Sequence, residues 1–355
     1  MSHLERCALL ALCLGPASSR RALLDLGEPQ AALDALWPLR ATYPAWHGAG
    51  DVAGLLEQME QYLARLRRQG IEVVLATDPD YPAALARISG APSLLYRRGA
   101  LPSQPLVAVV GSRAAHTPWA ELARRLAGEL VAQGHGVISG GAIGIDTAAH
   151  EGALAAGGPT VAVLGSGLCR LYPERNAELF RNVARAGALL SQYAPEAGPQ
   201  SWHFPKRNLL IAALSSAVVV VEAASRSGAL ISARFAAQLG VPVLACDSSC
   251  GARALLRQGA GLCESAADVV RAVRGSPRSG PQQALDADQT EALAQLTTRR
   301  RLSVTELSAA SGWSVARGAA ALLRLELAGL VRSEAGGRFA LSDRVLPRRF
   351  PSAGA

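Results

Sequence analysis

Apolar residues follow three different rhythms along this chain. Through residue 70 they recur at helical spacing, in "LERCALLALCLG", "SRRALLDLG", "PQAALDALWPL" and "VAGLLEQMEQYLARLRRQG", with Gly or Pro at the breaks. That pattern predicts a small all-helical module. From Ile71 short β-rich runs take over: "IEVVLAT", "LVAVVG", "GVISGG", "TVAVLGSG", "AVVVVEAA" and "VPVLACD". Their hydrophobicity is continuous rather than alternating, as in strands covered on both faces. Helical stretches such as "PWAELARRLAGELVAQG" and "GALISARFAAQLG" separate several of them. The region is therefore expected to be an α/β fold, a doubly wound parallel sheet whose ligand site lies at the carboxyl ends of its strands.

A third rhythm follows Arg271. "RGSPRSGPQQALDADQ" reads as a Pro/Gly/Ser/Gln linker. Beyond it three helical patterns, "QTEALAQLTTR", "SVTELSAASG" and "SVARGAAALLRLELAGL", precede "VRSEAGGRFALS", a strand pair with Gly336 and Gly337 at its tip. That is the order of a winged helix, with Trp313 in the turn of its helix-turn-helix. The third helix would read DNA chiefly through Arg317 and Arg324, seven residues apart on one face; duplex, single strand and protein all stay open as its partner. The expected boundaries are a helical SAM-like or helix-hairpin-helix-like domain (1–70), the sheet domain (71–271, with an N-terminal extension 71–104), a linker (272–285), the winged helix (286–345) and a tail (346–355). Within the first, "GPASSRRALLDLG" offers a tight turn of the kind that presents amides to DNA phosphates, although plain helical packing accounts for it as well.

Charge narrows the partners only slightly. The formal net charge is +8, and residues 272–355 carry 12 basic against 7 acidic side chains. Nucleic acid suits such a chain, and so does a solvated arginine-rich surface. More informative is that Lys206 is the only lysine among 36 basic residues. A bias toward arginine leaves a lysine by accident or where a compact ammonium is wanted. No stretch approaches the ~20 apolar residues of a membrane span, and Glu5 ahead of the first apolar run is unlike a signal peptide. The expectation is a cytoplasmic protein with no membrane partner. Cys7, Cys13, Cys169, Cys246, Cys250 and Cys263 lack both a disulfide framework and the CxxC spacing of a zinc site, so reduced thiols and no metal or cofactor are expected.

The loops after the strands hold the candidate chemistry. "VAVVGSRAAHT" brings Gly111, Ser112 and Arg113 into a helix start, where amides and a guanidinium can meet an anion. "VISGGAIGIDTAAHEGAL" supplies Ser139, Gly140, Gly141 and Gly144 before a helix carrying Asp146 and His150; "VAVLGSGLCRLYPERN" repeats the idea with Gly165, Ser166 and Gly167. A fourth loop, "SWHFPKRNLLIAAL", brings Trp202, His203 and Phe204 beside Lys206, Arg207 and Asn208, and "VVVVEAASRSGALISA" adds Glu222, Ser227 and Gly228. Each turn alone is weak, because glycine is common there for steric reasons; together they suggest phosphate binding, with the aromatics as stacking surfaces or as core anchors. Bond-making machinery is not evident. There is no GxxxxGK[ST], no GxSxG elbow and no HExxH, and "GSGLCR" has Arg170 where a dinucleotide fingerprint needs glycine.

In their order, "YPAALARISGAPSLLYRRGAL", "VAVVGSR", "SGGAIGIDTAAHEGAL", "TVAVLGSGLCRLYPERN", "FPKRN", "VVVVEAASRSGALISARFA" and "LLRQGA" resemble the DprA/Smf family, the DNA processing proteins of natural transformation, over about residues 81–260. The resemblance implies a Rossmann-like fold and a non-catalytic homodimer that binds single-stranded DNA, displaces single-strand binding protein and loads the recombinase RecA. It implies a DNA pocket of Gly111, Ser112, Arg113, Ser139, Gly140, Gly141, Phe204, Lys206, Arg207, Asn208, Ser227 and Gly228. Three departures stand out: Ile143 and Leu209 stand where arginine is usual, which removes positive charge, and "CDSSCGARALL" replaces a Pro-Gly turn. Two other classes remain as alternatives: a nucleoside-monophosphate phosphoribohydrolase, from whose PGGxGTxxE loop "SGGAIGIDTAAHE" departs with two residues between the glycine pair and Gly144 and no Glu three residues beyond it, and a winged-helix transcription regulator.

Overall fold

The computed structural model describes residues 3–15, 28–88, 90–275, 287–299, 301–327, 330–334 and 337–341. The predicted helix "SRRALLDLG", nearly all of the proposed DNA-contacting turn beside it, most of the linker, Gly336 and the tail lie outside them. Strands β1 (Glu72–Leu75), β2 (Leu94–Gly99), β3 (Leu106–Val110), β4 (Gly136–Ser139), β5 (Thr160–Val163), β6 (Ala188–Ser191), β7 (Ala217–Val220), β8 (Val243–Ala245) and β9 (Gly261–Leu262) form one sheet in the order β1-β2-β6-β5-β4-β3-β7-β8-β9. From β6 to β9 every pair is parallel, while β1 and β2 run antiparallel at the edge. The Rossmann-like expectation holds, with a mixed sheet in place of a purely parallel one.

The continuous apolar runs explain the layering. In β3, Val107 and Val109 face one core with the helices Thr117–Ala132 and Ile145–Ala155, whereas Ala108 and Val110 face the other. A period of two thus sends alternate side chains to opposite covered faces. The second core runs without a break from Phe180 and Phe235 to Leu10, Leu55 and Leu66, so the N-terminal helices His3–Leu14 and Val52–Arg68 pack on the sheet itself. Successive crossovers carry the chain outward from β3 through β4, β5 and β6, then back to β7 on its other side. The crevice that this reversal opens lies between the carboxyl ends of β3 and β7.

A separate core of Leu296, Leu302, Leu307, Leu322, Leu325 and Phe339 belongs to the winged helix. Its helices are Ala287–Arg299, Val304–Ser311 and Val315–Leu327, and β10 (Arg301–Ser303), β12 (Arg338–Leu341) and β11 (Val331–Glu334) make its sheet, in that order. Ser303 and Glu306 close a reciprocal capping box on the middle helix, and Gly312 ends it in the left-handed conformation at φ 64°. Among the described residues, no helix is long and apolar enough to cross a membrane, and no group of three or more His, Cys, Asp or Glu side chains is placed to hold a metal.

Candidate nucleic-acid interface

The strand ends bring the glycine-rich loops side by side, and Gly144 ties two of them together. Its φ of 86° and its approach to Ser112 O leave no room for a side chain, and Ile145 N donates to the same carbonyl at 3.1 Å. Beneath these loops lies a buried polar floor. "HFPKRNLLIAAL" is a helix, His203–Leu214, rather than the expected loop; Pro205 falls in its first turn, where a missing N–H costs no helical bond. The helix sends Arg207, 5% exposed, inward, where Nη1 donates to the carbonyls of Gly140 and Val163 and Nε to Asn208 Oδ1. Gly140 is glycine because a Cβ would stand 2.5 Å from the Arg207 guanidinium carbon.

Two carboxylates complete the floor. Asp146 Oδ2 accepts from Gly140 N at 3.1 Å and Ala142 N at 3.3 Å. Glu222 accepts from His116 N at 3.1 Å and pairs its other oxygen with His116 Nδ1, at the start of the helix Thr117–Ala132. Several of the amides expected to meet phosphate are therefore already satisfied by the protein's own anions. Burial pushes the Arg207 pKa down to about 10, opposed by the nearby Asp146 charge, so the side chain is cationic at neutral pH; burial raises the Asp146 pKa, opposed first by Arg207. Other expected site residues also bond internally: Ser139 Oγ donates to Val109 O at 2.7 Å, Asn208 Nδ2 to Gly228 O at 3.1 Å, Ser112 Oγ accepts from Ala114 N and Ser227 Oγ from Ala229 N. Gly111 and Gly141 admit Ile145 and Phe180.

Above the floor is an open rim. Arg113 is exposed, with its guanidinium carbon 5.0 Å from the centre of the Phe204 ring. Phe204 rests on Gly165, where a Cβ would come within 2.8 Å of the ring, and it also neighbours the Arg207 guanidinium carbon at 5.9 Å and the half-exposed Tyr172 at 6.0 Å. Lys206 Nζ lies 5.7 Å from the Trp202 ring, which is 43% exposed. That indole is braced edge-on by His203, which in turn stacks on Tyr193 at 3.6 Å and lies 2.9 Å from Gly165 O through Nδ1. Burial lowers the His203 pKa, favouring its neutral form. Of the predicted site residues, the structure sets Arg113 against Phe204 on one side of the helix His203–Leu214 and Lys206 beside Trp202 on another, leaves Ser227 and Gly228 outside the buried floor and sinks Ser139, Gly140, Gly141, Arg207 and Asn208 into it. Tyr172 was missed; the aromatic in "CRLYPERN" was its only signal.

The winged helix departs from one expectation. Arg324, expected to face DNA, is 4% exposed and turns to Asp288, because its helix face forms part of the domain's packing. Arg317 stays exposed, pairing with the same carboxylate at 2.7 Å and lying over Trp313.

A parallel-cored sheet wound on both faces, with its crevice at the β3/β7 reversal and a winged helix appended, defines a Rossmann-like α/β protein with a helix-turn-helix module. Residues 72–274 match the family of DNA recombination-mediator protein A, and residues 276–337 match the DprA winged helix domain. The chain belongs to that DprA/Smf family, as its ordered motifs imply. It is 35% identical over 303 residues to the putative DNA processing protein DprA of Mycobacterium tuberculosis, covering 77% of this chain and 78% of that one. With DprA of Bacillus subtilis it shares 34% over 233 residues, 61% of this chain and 78% of the relative. The match to Synechocystis Smf, at 37% identity over 53% of this chain, spans only 49% of that protein. Among solved structures, DprA of Streptococcus pneumoniae superposes with a TM-score of 0.59 at 32% identity, over 76% of this chain and 98% of that chain. DprA of Helicobacter pylori, whose structure concerns its single-stranded DNA binding mode, gives 0.51 at 27%, over 57% and 94%.

Proposed function

We propose that this protein binds single-stranded DNA along the rim of Arg113, Phe204, Tyr172, Lys206 and Trp202, and makes or breaks no covalent bond in doing so. One observation carries the reading. Among the described residues, Arg113 and Lys206 have no carboxylate partner, and each lies against an aromatic ring. A single strand needs neutralised phosphates and faces on which bases stack, and the rim offers both without a pocket shaped for one base. The Helicobacter pylori relative, described by its single-stranded DNA binding, supports the same ligand here. The biological role that follows is the one the family resemblance implies: a homodimer in the cytoplasm that protects incoming strands during natural transformation, displaces single-strand binding protein and loads RecA. Two sites in a dimer would raise avidity for one strand.

The phosphoribohydrolase alternative loses support from the floor. A nucleotide phosphate would have to displace Asp146 or Glu222 from amides that they already satisfy. The test is binding of a fluorescent oligothymidine to the wild type and to Arg113→Glu with Lys206→Glu, over a salt series with circular dichroism as the check on folding. The folded double variant should lose most binding, and its salt slope should flatten by about 1.4, since each phosphate neutralised on a single strand contributes ~0.7. Unchanged binding would overturn the assignment and move the site to the basic C-terminal region.

A further inference from the structure

The winged helix rests on the helix that carries Lys206. Leu322 and Leu325 of the helix Val315–Leu327 fill the module's own core. Leu323, 3% exposed, instead joins the cluster containing Leu209 and Leu210 of the sheet domain. On β12, Phe339 places its ring 5.8 Å from Lys206 Nζ, so the ammonium has Trp202 of its own domain on one side and a winged-helix ring as its second aromatic neighbour. Glu326 packs against Gly90, where a Cβ would stand 3.2 Å from its Cγ. The fit between the two domains is incomplete: a cleft of about 160 Å³ remains, lined by Lys206, Tyr193, Leu210, Leu323 and Glu326 among others.

We infer that the docked winged helix is a removable cap on the single-strand site, with Phe339 occupying the face of Lys206 that a strand would use. The inference rests on the rim being that site. A cation held between two rings is attracted to them but is neutralised by neither. A phosphate supplies a full charge, so an arriving strand competes directly with the docked module. The unfilled cleft fits this role, because poorly packed surfaces separate at lower cost than close-packed ones. Binding of a strand and release of the winged helix are then linked equilibria: a site that is open about one-tenth of the time shows an apparent affinity about tenfold below its intrinsic one.

The experiment uses the full chain. Leu323→Glu places a charge in the docking surface and leaves the winged helix's own core untouched. Oligothymidine affinity should rise about tenfold, and small-angle scattering should show a more extended particle. Gly90→Cys with Glu326→Cys supplies the opposite control. Oxidised, the pair should lock the cap and weaken binding below wild type, and dithiothreitol should restore it. Equal or weaker binding by Leu323→Glu, or a locked form that binds like wild type, would overturn the cap; if Lys206→Glu still abolishes binding, the strand site itself stands. Absence of oligothymidine binding in wild type, Leu323→Glu and the reduced double variant alike would remove both the site and its cap.

Discussion

Lys206 and Arg207 are neighbours in sequence and opposites in environment. Arg207 is buried among carbonyls and faces Asp146; Lys206 stands on the rim with aromatic rings beside it. The helix makes the difference: successive residues point about 100° apart, so Arg207 turns inward on the Phe204 side, its guanidinium carbon 5.9 Å from that ring, while Lys206 turns toward Trp202. Floor and rim therefore carry charge for separate reasons. On the floor, charges hold loops in place; Arg113 and Lys206 form no ion pair with a carboxylate among the described residues, and each lies against an aromatic ring.

The largest way to break this comparison is to empty the floor. Arg207→Met leaves Asp146 without its countercharge and removes the donors to Gly140 O and Val163 O. Removing one partner of such a buried arrangement costs about 3–5 kcal/mol, so urea unfolding should show a loss of that size. The thermal midpoint followed by circular dichroism should fall with it, and any loss of strand binding would follow from the lost fold. A second effect on the same side depends on pH. His150 is fully buried, with Nδ1 2.8 Å from Thr160 Oγ1 and Nε2 without a hydrogen-bond partner among the described residues. Burial lowers its pKa from 6.5 to about 3, the Arg207 charge adding to the effect. The unfolded chain then binds the proton that the native one refuses, so stability falls as pH drops below about 6.5 and continues falling toward pH 3. This group alone contributes a loss of about 2 kcal/mol between pH 7 and pH 5. His150→Gln should flatten that part of the urea-midpoint profile; a profile identical to wild type would assign the acid sensitivity elsewhere.

The same contrast explains what could be read in the sequence. β3, β4, β5, β7 and β8 were legible because buried parallel strands write continuous apolar runs. β2 and β6 were not, because "LLYRRG" carries two arginines and "ALLS" is too short to stand out from neighbouring helix. The candidate site's location was legible from the glycine loops, since their crowding demands glycine whatever fills the space. What fills it was not: Arg207 and Asp146 are internal occupants, and the same "GG" and "KRN" spellings would serve a phosphate. Arg324 was misplaced for a related reason. Helical spacing puts it on one face with Arg317, but Arg324 is drawn into the domain's packing beside Asp288, 36 residues away, while Arg317 stays exposed on the same carboxylate.

On the rim, charge reversal should act on the ligand, and on the fold less than a change to the floor does. Lys206→Glu removes no hydrogen bond or ion pair, only the contacts of the ammonium with the Trp202 and Phe339 rings, so its unfolding free energy should fall by about 1–2 kcal/mol, short of the Arg207→Met loss. Its oligothymidine affinity should fall about tenfold at low salt, with a slope reduced by ~0.7, as expected when one phosphate is no longer neutralised. A loss as large as that of Arg207→Met would mean that floor and rim are one structural unit after all.

The finest distinction concerns the chemical kind of cation. Lys206→Arg keeps the charge, so the salt slope should not change. A guanidinium, however, stacks on aromatic faces better than an ammonium and is more weakly hydrated. Between Trp202 and Phe339 it should hold the winged helix more firmly, and affinity for oligothymidine should fall by a small factor, about two- to threefold. In the Leu323→Glu background, where Phe339 no longer faces the site, that difference should vanish or reverse. Such a result would give the only lysine in an arginine-rich chain a physical reason: its ammonium releases two rings more readily than a guanidinium does. Equal affinities for Lys206 and Lys206→Arg in both backgrounds would leave its identity a matter of coding bias.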